Sequence, residues 1–499
     1  MLPRMTPWIS LPLSLALGCG DSAMSAVVPG DGDETTEGSS STTGAPETLD
    51  TSTGSSSADD DQVDTGFDPP EPECGNGFVE PGEQCDDGND IDDDDCNNEC
   101  LIPCGLEWEQ LELPPTGEST LSGVLVARDA SDAIVTAGRL REITTDEAGM
   151  QTQGPHEVLL VRHDGDGTKQ WDARISLGSG HTRLGGLAVD PSGDVYVALT
   201  VDSAEGGSDI VVSKRARDDG SELWQHVHDS QVDSSVDLAT GIAATDDGDI
   251  VVSGTVRAGA MDDDVWVRKL HGASGDEVWT TTWSGPGDDT FSSDRGGPVA
   301  VGPSGAVYVL AREHVDYATA PVLVLRASEA GGELERWFTP QYEGQVQIFV
   351  AVDLAVDSED NVHLAVERTT FTGIDFWVHK VDAAGVQSWQ RSRDDYREGG
   401  SGWRLVGLAL HQGSAVLVGR YRNEDAQQQL EWSELWLRRL DPAGQLTCAL
   451  QYRAAAQGLI PPSLFAEGGA TRSDGAAIVT GMHESGDEVA LWLATFRPT

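Results

Sequence analysis

The chain has 499 residues, 85 of them Asp or Glu against 31 Lys or Arg, for a formal net charge of −54. A field of that sign excludes nucleic acid and anionic lipid as natural partners, because both are held by stripes of Lys and Arg. Hydrophobic content is low at 38%, and the shortfall is local: 24 of the acids, and no Lys or Arg, fall in residues 20–100.

Residues 1–19 read as an export signal. Arg4 gives a positive start, residues 8–17 an apolar stretch too short to span a bilayer, and Gly18-Cys19 a small residue before a cysteine. Leu15-Ala-Leu-Gly-Cys19 resembles the bacterial lipobox, whose cysteine is lipidated and becomes the mature N-terminus. Ala16 stands where that motif has leucine, with Leu15 one place earlier. The resemblance implies a lipid on Cys19 and an address in the cell envelope, at the outer membrane or cell surface. Ordinary cleavage after a short signal is the alternative. No other segment is apolar enough to span a membrane, so the lipid would be the sole membrane contact of a monomer.

Residues 20–72 are a Ser/Thr/Gly/Asp tract, as in Thr51-Ser-Thr-Gly-Ser-Ser-Ser57. With almost no aromatic residues and charge of one sign, the tract is expected to be a disordered tether.

Residues 73–104 form a cysteine-rich segment. Cys74-Gly-Asn-Gly opens it, Glu80-Pro-Gly-Glu-Gln-Cys85-Asp-Asp-Gly-Asn89 is its centre, and Cys96 and Cys100 close it. It resembles the cysteine-rich repeat best known from myxobacterial surface proteins, which implies a small extracellular disulfide module without assigned catalysis. So short a segment needs bridges to hold a shape. With Cys19 set aside, six of seven cysteines remain, an even number in an exported chain, reading as three disulfides. The resemblance assigns Cys74, Cys85, Cys96 and Cys100 to the module, which leaves Cys104 and Cys448 as partners. The alternative is that one is buried in the repeat domain and the other crosslinked within the module. The acids Asp86, Asp87, Asn89, Asp92 and Asp94 make calcium a candidate ligand by density of hard oxygens. The spacing is not that of an EF-hand, since Asp95 falls where that loop needs glycine. Solvated acids in a turn-rich module are the other reading, and no other cofactor is implied.

Residues 105–499 repeat one paragraph about seven times. One copy runs Gly241-Ile-Ala-Ala-Thr-Asp-Asp-Gly-Asp-Ile-Val-Val-Ser-Gly254, then Asp264-Val-Trp-Val-Arg-Lys-Leu270, then Asp276-Glu-Val-Trp279. Each copy is four short strands with polar turns, too small to bury a core alone. The pattern predicts an all-β fold, a seven-bladed β-propeller. The seventh copy ends after its third strand, and residues 106–113, with Trp108, supply the missing fourth, closing the ring and removing exposed edges. The repeats resemble the bacterial β-propeller repeat family of secreted and surface proteins, and copies such as Ala273-Ser-Gly-Asp-Glu-Val-Trp279 also look like pyrroloquinoline-quinone-type propeller repeats. Fourth-strand tryptophans Trp171, Trp224, Trp279, Trp337 and Trp389 read as packing between blades rather than as sugar-stacking surfaces.

Catalytic signatures are missing from the sequence: it has no nucleophile elbow, His-Glu-x-x-His or phosphate-binding glycine loop. His226 and His228 alternate on one strand, but two ligands without a third make no zinc site. His379 is expected at the surface, and Asp262-Asp-Asp264 and Asp394-Asp395 in solvated loops. Quinone dehydrogenases place arginine, acid and calcium at the pore, and no residue here matches that set. The sequence therefore reads as a non-enzymatic surface lipoprotein whose propeller binds a protein or glycan. The alternative is a propeller enzyme acting on an extracellular carbohydrate or quinone-type cofactor, which carboxylates gathered with a His or Arg at the pore mouth would favour.

Overall fold

The computed structural model describes residues 104–498 apart from short loop segments, together with 75–78, 86 and 88, all within the unit Pro70–Thr499. The signal, the tether and most of the cysteine-rich segment lie outside the described residues. The described chain folds into seven antiparallel sheets of four strands, in sequence order except that the last takes its outer strand from residues 106–112. The fifth sheet gains a short extra strand, Thr319–Ala320, which lies parallel to Gln347–Val356. The first strands are Ser119–Arg128, Thr182–Val189, Leu238–Ala244, Val299–Val301, Gln347–Val356, Trp403–His411 and Ser463–Thr471. Each touches the first strand of the next sheet, and the last touches the first, so the seven surround an axis. The molecule is a seven-bladed β-propeller, with the first strand of each blade innermost.

Burial along the strands follows from that arrangement. A middle strand is covered by a blade on either side, so Val195–Asp202 is buried over nearly its whole length. An outermost strand such as Glu222–His228 alternates between exposed and half-buried positions. The core is accordingly divided into seven apolar clusters, one at each boundary between neighbouring blades. At the boundary of blades 2 and 3, Tyr196, Ile210 and Val212 meet Ile242, Val252 and Trp266. No blade has a core of its own, which is why the repeat must close.

Closure comes from the N-terminal side, as the sequence predicts. Leu106–Glu112 pairs antiparallel with Glu488–Phe496, with Leu106 opposite Phe496 and Gln110 opposite Leu493. The turn between third and fourth strand, continuous in other blades, is here assembled from the two ends of the domain. Arg497 N donates to Gly105 O at 3.0 Å, the counterpart of the 2.9 Å bond from Asp164 N to Thr168 O in blade 1.

Two repeated devices hold neighbouring elements in place. The aspartate opening the turn between first and second strands caps that turn, and its carboxylate also receives the cation that ends the third strand. Asp129 pairs with Arg162, Asp190 with Lys214 at 3.2 Å, and Asp357 with Lys380 at 3.2 Å, all buried. In these three blades the basic residue closing the third strand is thus an internal tie. The fourth-strand tryptophans pack on the next blade, and their indole N–H groups donate to its turn: Trp171 to Arg217 O at 2.7 Å, Trp224 to Gly272 O at 3.0 Å and Trp389 to Pro442 O at 3.1 Å. They are packing residues.

Two sequence expectations are corrected. His379 is fully buried, not superficial: its Nδ1 lies 3.0 Å from Gln387 Oε1 and its ring meets Phe338 edge-on. A third-strand position is covered from both sides, whatever residue stands beside it. Asp262–Leu270 is a strand, so Asp262, Asp263 and Asp264 are half-buried rather than solvated in a loop. Burial, together with repulsion by Asp262, raises Asp264 to about 6. Asp394 and Asp395 lie outside the described residues.

Candidate functional site

The axial channel opens on the face that carries the loops between second and third strands. Just inside this mouth, one level of the ring is set by strand register. Opposite one another across first and second strands stand Ser122 and Arg139, Arg183 and Thr200, Leu238 and Thr255, Arg295 and Arg312, Val350 and Glu367, Arg404 and Arg420, and Phe465 and Met482. Six arginines therefore share a level with a single acid, Glu367, in a chain of net charge −54. Glu467 joins them from the bulge in the innermost strand of blade 7, between Ala466 and Gly468.

The mouth has two contiguous lobes that share Leu184 and Val350, Ala351 and Val352. One, of about 440 Å³, is bounded by Arg295, Gly296, Gly297, Pro298 and Arg312; the other, of about 370 Å³, by Glu367, Leu405, Arg420 and Glu467. Both fall in the size range of small-ligand sites.

At this level the second strand of one blade commonly accepts a backbone N–H from the innermost strand of the next. Thr200 Oγ1 takes Ala239 N at 2.9 Å, Thr255 Oγ1 takes Gly296 N at 3.1 Å, and Glu367 Oε1 takes Leu405 N at 2.6 Å. Between blades 7 and 1 the acceptor is Glu467, whose Oε2 receives Val124 N at 2.6 Å. Burial pushes Glu367 and Glu467 above the ordinary carboxylate range, against backbone donors and arginines that pull them down. Arg404 approaches Glu367 at 3.2 Å and Arg420 approaches Glu467 at 3.9 Å. The mouth can thus offer guanidinium donors to a ligand, and its two carboxyls are poised for proton exchange closer to neutrality than free glutamate.

A cleft of about 340 Å³ opens on the opposite face between blades 3 and 5, bordered by Thr245, Lys269, Gly302, Glu329 and Asp357. Its principal charges are committed internally, Lys269 to Asp249 at 3.4 Å and Asp357 to Lys380. It is the weaker candidate.

The residues singled out in the sequence are dispersed. Cys104 and Cys448 are joined as a disulfide, with Cα atoms 6.4 Å apart. Asp86 accepts backbone N–H groups from Gly75, Asn76, Gly77 and Gly88 at 2.8–3.1 Å, so both its oxygens already hold a turn together. Asp87, Asn89, Asp92, Asp94, Cys19, Cys74, Cys85, Cys96 and Cys100 lie outside the described residues. His226 sits 2.8 Å from Arg268 and His228 stacks on Trp266, 4.7 Å between ring centroids. Among the described residues no group of three or more His, Cys, Asp or Glu could hold a metal, and no helix is long and apolar enough to cross a membrane.

Residues 64–101 match a family described as a domain of unknown function (DUF4215). No curated protein matches the chain. Several solved structures are similar in fold. A protein of unknown function from Dyadobacter fermentans is 11% identical, with 79% of this chain and all of that one covered and a TM-score of 0.45. A polysaccharide lyase, an ulvan lyase of family PL25, is 10% identical over 76% of this chain and 95% of that one, TM-score 0.49. The β-propeller domain of the trilobed protease from Pyrococcus furiosus is 12% identical over 77% and 96%, TM-score 0.42. Quinohemoprotein alcohol dehydrogenases also appear, the Comamonas testosteroni enzyme at 10% identity over 78% of this chain and 76% of that one, TM-score 0.35.

These likenesses are of fold alone, yet they correct one expectation. The expectation of a non-enzyme is withdrawn, the similar solved structures including an ulvan lyase and alcohol dehydrogenases. The channel mouth also gathers two carboxyls with arginines, the grouping that the sequence reading names as the mark of the enzymatic alternative. No single stretch of sequence carries this grouping, because each blade contributes only one or two members.

Proposed function

We propose that this chain is an exported, envelope-anchored surface protein whose propeller holds a ligand, a glycan or a protein segment, at the arginine-bearing mouth of its channel. In this reading lipid on Cys19 anchors a monomer in the outer membrane, residues 20–72 tether it, and residues 73–104 form a disulfide module with calcium as its candidate ion. The observation that supports it best is the ring of six arginines in a chain of net charge −54. Arginines gathered at one level of a channel repel one another, a cost that an anionic group bound between them would relieve. The second reading, conversion of a bound carbohydrate, is favoured by the raised carboxyls of Glu367 and Glu467.

The test begins with Cys19→Ala, expected to release the full chain in soluble form; fractionation with membranes unchanged from the parent refutes the lipid anchor. The soluble protein is then screened on a glycan array beside a Val352→Trp variant that fills both lobes. Binding lost on filling the mouth supports the ligand site, and binding retained overturns it. Release of reducing ends from a bound glycan, abolished by Glu367→Gln, would establish the enzymatic reading.

A further inference from the structure

The arginines of the ring are not equivalent. Arg139 is held by Ser122 Oγ, at 3.1 Å from Nε and 2.8 Å from Nη2. Arg404 and Arg420 have Glu367 and Glu467 beside them. Arg183 is exposed and stands alone opposite Thr200, whereas Arg295 and Arg312 form a pair. Each donates its backbone N–H to the other's carbonyl at 2.8 Å, so the two stand directly opposite one another and their side chains leave the same face of the sheet. No carboxylate among the described residues forms an ion pair with either. Burial and the Arg295 charge both push Arg312 below the usual arginine range, and no acid counters them.

The boundary with blade 5 sharpens the point. Where Thr200, Thr255 and Glu367 offer an oxygen to the next blade, blade 4 offers the Arg312 guanidinium. The roughly 440 Å³ lobe in front of it is bounded by Phe349, Val350 and Val352 of blade 5. Thr319–Ala320, from the loop after Arg312, pairs onto the innermost strand of blade 5 and fixes this loop beside the lobe. Two adjacent cations, one half-buried, facing an apolar wall without a counter-charge are unfavourable alone and favourable with an anion between them.

We infer that Arg295 and Arg312 form an oxyanion site in the wall between blades 4 and 5, which receives a carboxylate or sulfate group of the ligand held at the channel mouth. The inference rests on the reading of that mouth as a ligand site and gives its ligand a chemical class. Two planar guanidinium groups side by side can take both oxygens of such a group in forked hydrogen bonds, a geometry that lysine does not offer. The same chemistry is carried by free small anions and by acidic sugars, and the experiment separates them.

Soluble full-length Cys19→Ala protein is titrated calorimetrically with sulfate, citrate and a galacturonate trimer at constant ionic strength. Saturable binding of at least one is expected, weakened about tenfold or more in the Arg295→Gln/Arg312→Gln double variant. Arg295→Gln alone, at an exposed residue whose loss should leave folding intact, is expected to weaken it several-fold. Arg217→Gln, an exposed arginine of blade 2 in the loop between its third and fourth strands, serves as the charge control and should leave the affinity unchanged. Trimer binding much tighter than sulfate or citrate identifies an acidic glycan, and equal binding a small oxyanion; either supports the site. Absence of saturable binding for all three probes, or equal affinity in parent and both glutamine variants, overturns it. Neutral glycans bound at the mouth with the arginine variants unaffected would sink the oxyanion site while leaving the proposed function standing. Anion binding that survives in Val352→Trp together with glycan-array binding would do the reverse.

Discussion

Cys104 and Cys448 meet at the one place in the ring where a tryptophan fails to cover the next blade's turn. In the other blades Trp108, Trp171, Trp224, Trp279, Trp337 and Trp389 pack on Gly167, Gly220, Gly275, Gly331, Gly385 and Gly444 of the following blade. In blade 6 the tryptophan position is Cys448, opposite Arg439 as Trp171 is opposite Arg162. The turn it faces is the broken one. Cys104 lies two residues before its strand, as Gly167 and Gly444 lie before theirs, and shares their left-handed backbone, with φ of 59° against 82° and 78°. The disulfide is therefore a covalent replacement for the tryptophan–glycine contact at the joint between the ends of the domain.

Because the bridge closes a loop of 344 residues, the chain-entropy argument assigns it a stabilisation on the order of 5 kcal/mol. Reduction, or Cys448→Ser, is expected to lower the melting temperature by several degrees. The pair Cys104→Gly with Cys448→Trp, which restores the contact used elsewhere in the ring, should recover part of the loss. Equal melting of oxidised and reduced protein, or no gain from the restored pair over Cys448→Ser, would refute this account.

Removal of the closing strand should be far more damaging than removal of everything before it. Deleting residues 1–103 keeps Leu106–Glu112 on the edge of blade 7, whereas deleting 1–114 bares Glu488–Phe496 and uncovers Trp492 and Phe496. In a Cys448→Ser background, so that the disulfide plays no part, the first truncation should unfold cooperatively and the second should aggregate or melt much earlier. Comparable melting curves would show that the strand is dispensable.

Much of this architecture was legible because a repeat reports the same local rule many times. The turn aspartates, the apolar second strands and the fourth-strand tryptophans recur at fixed offsets, a seventh copy that stops after its third strand points to the closing strand, and cysteine parity with the module resemblance points to the Cys104–Cys448 pair. From sequence His379 reads as a surface residue, because the periodicity of one strand says nothing about the blade that covers its other face. The channel mouth was not legible for a different reason. Arg295 and Arg312 are adjacent only through strand pairing, and Glu367 and Glu467 belong to blades separated by a third. Their alignment depends on bulges, such as that between Ala351 and Asp353, which set the register without a marker in composition.

Acid should find the buried histidines before the surface. Burial drives His379 down to about 4, and burial with Lys380 does the same to His363. Both are neutral in the folded protein at pH 6, where the unfolded chain binds protons with an ordinary pKa of about 6.5. Their contribution is therefore present above pH 6.5 and lost as pH falls towards 4, by roughly 3 kcal/mol at most for each fully buried ring. His379→Gln should flatten the fall in stability between pH 6.5 and 4.5 measured by urea unfolding. An identical slope in parent and variant would show that His379 titrates normally.

The tryptophan contact can be isolated by comparing two glycines with the same backbone requirement. Gly248 and Gly275 have φ of 85° and 75°, so alanine is strained at both, by about 1–2 kcal/mol. Around Gly248 a methyl group would meet nothing within 4 Å, whereas at Gly275 it would lie 2.8 Å from the Trp224 ring. The ring cannot retreat, because its N–H is fixed to Gly272 O and its edge meets Tyr196. Overpacking of this kind costs roughly 1–3 kcal/mol beyond the backbone strain. Gly275→Ala should therefore destabilise clearly more than Gly248→Ala in chemical denaturation. In a Trp224→Ala background the two should become nearly equal, since the obstructing ring is gone and only the strain remains. Equal effects in the parent would mean that the glycines serve the turns alone and that the tryptophans do not pack on them as described.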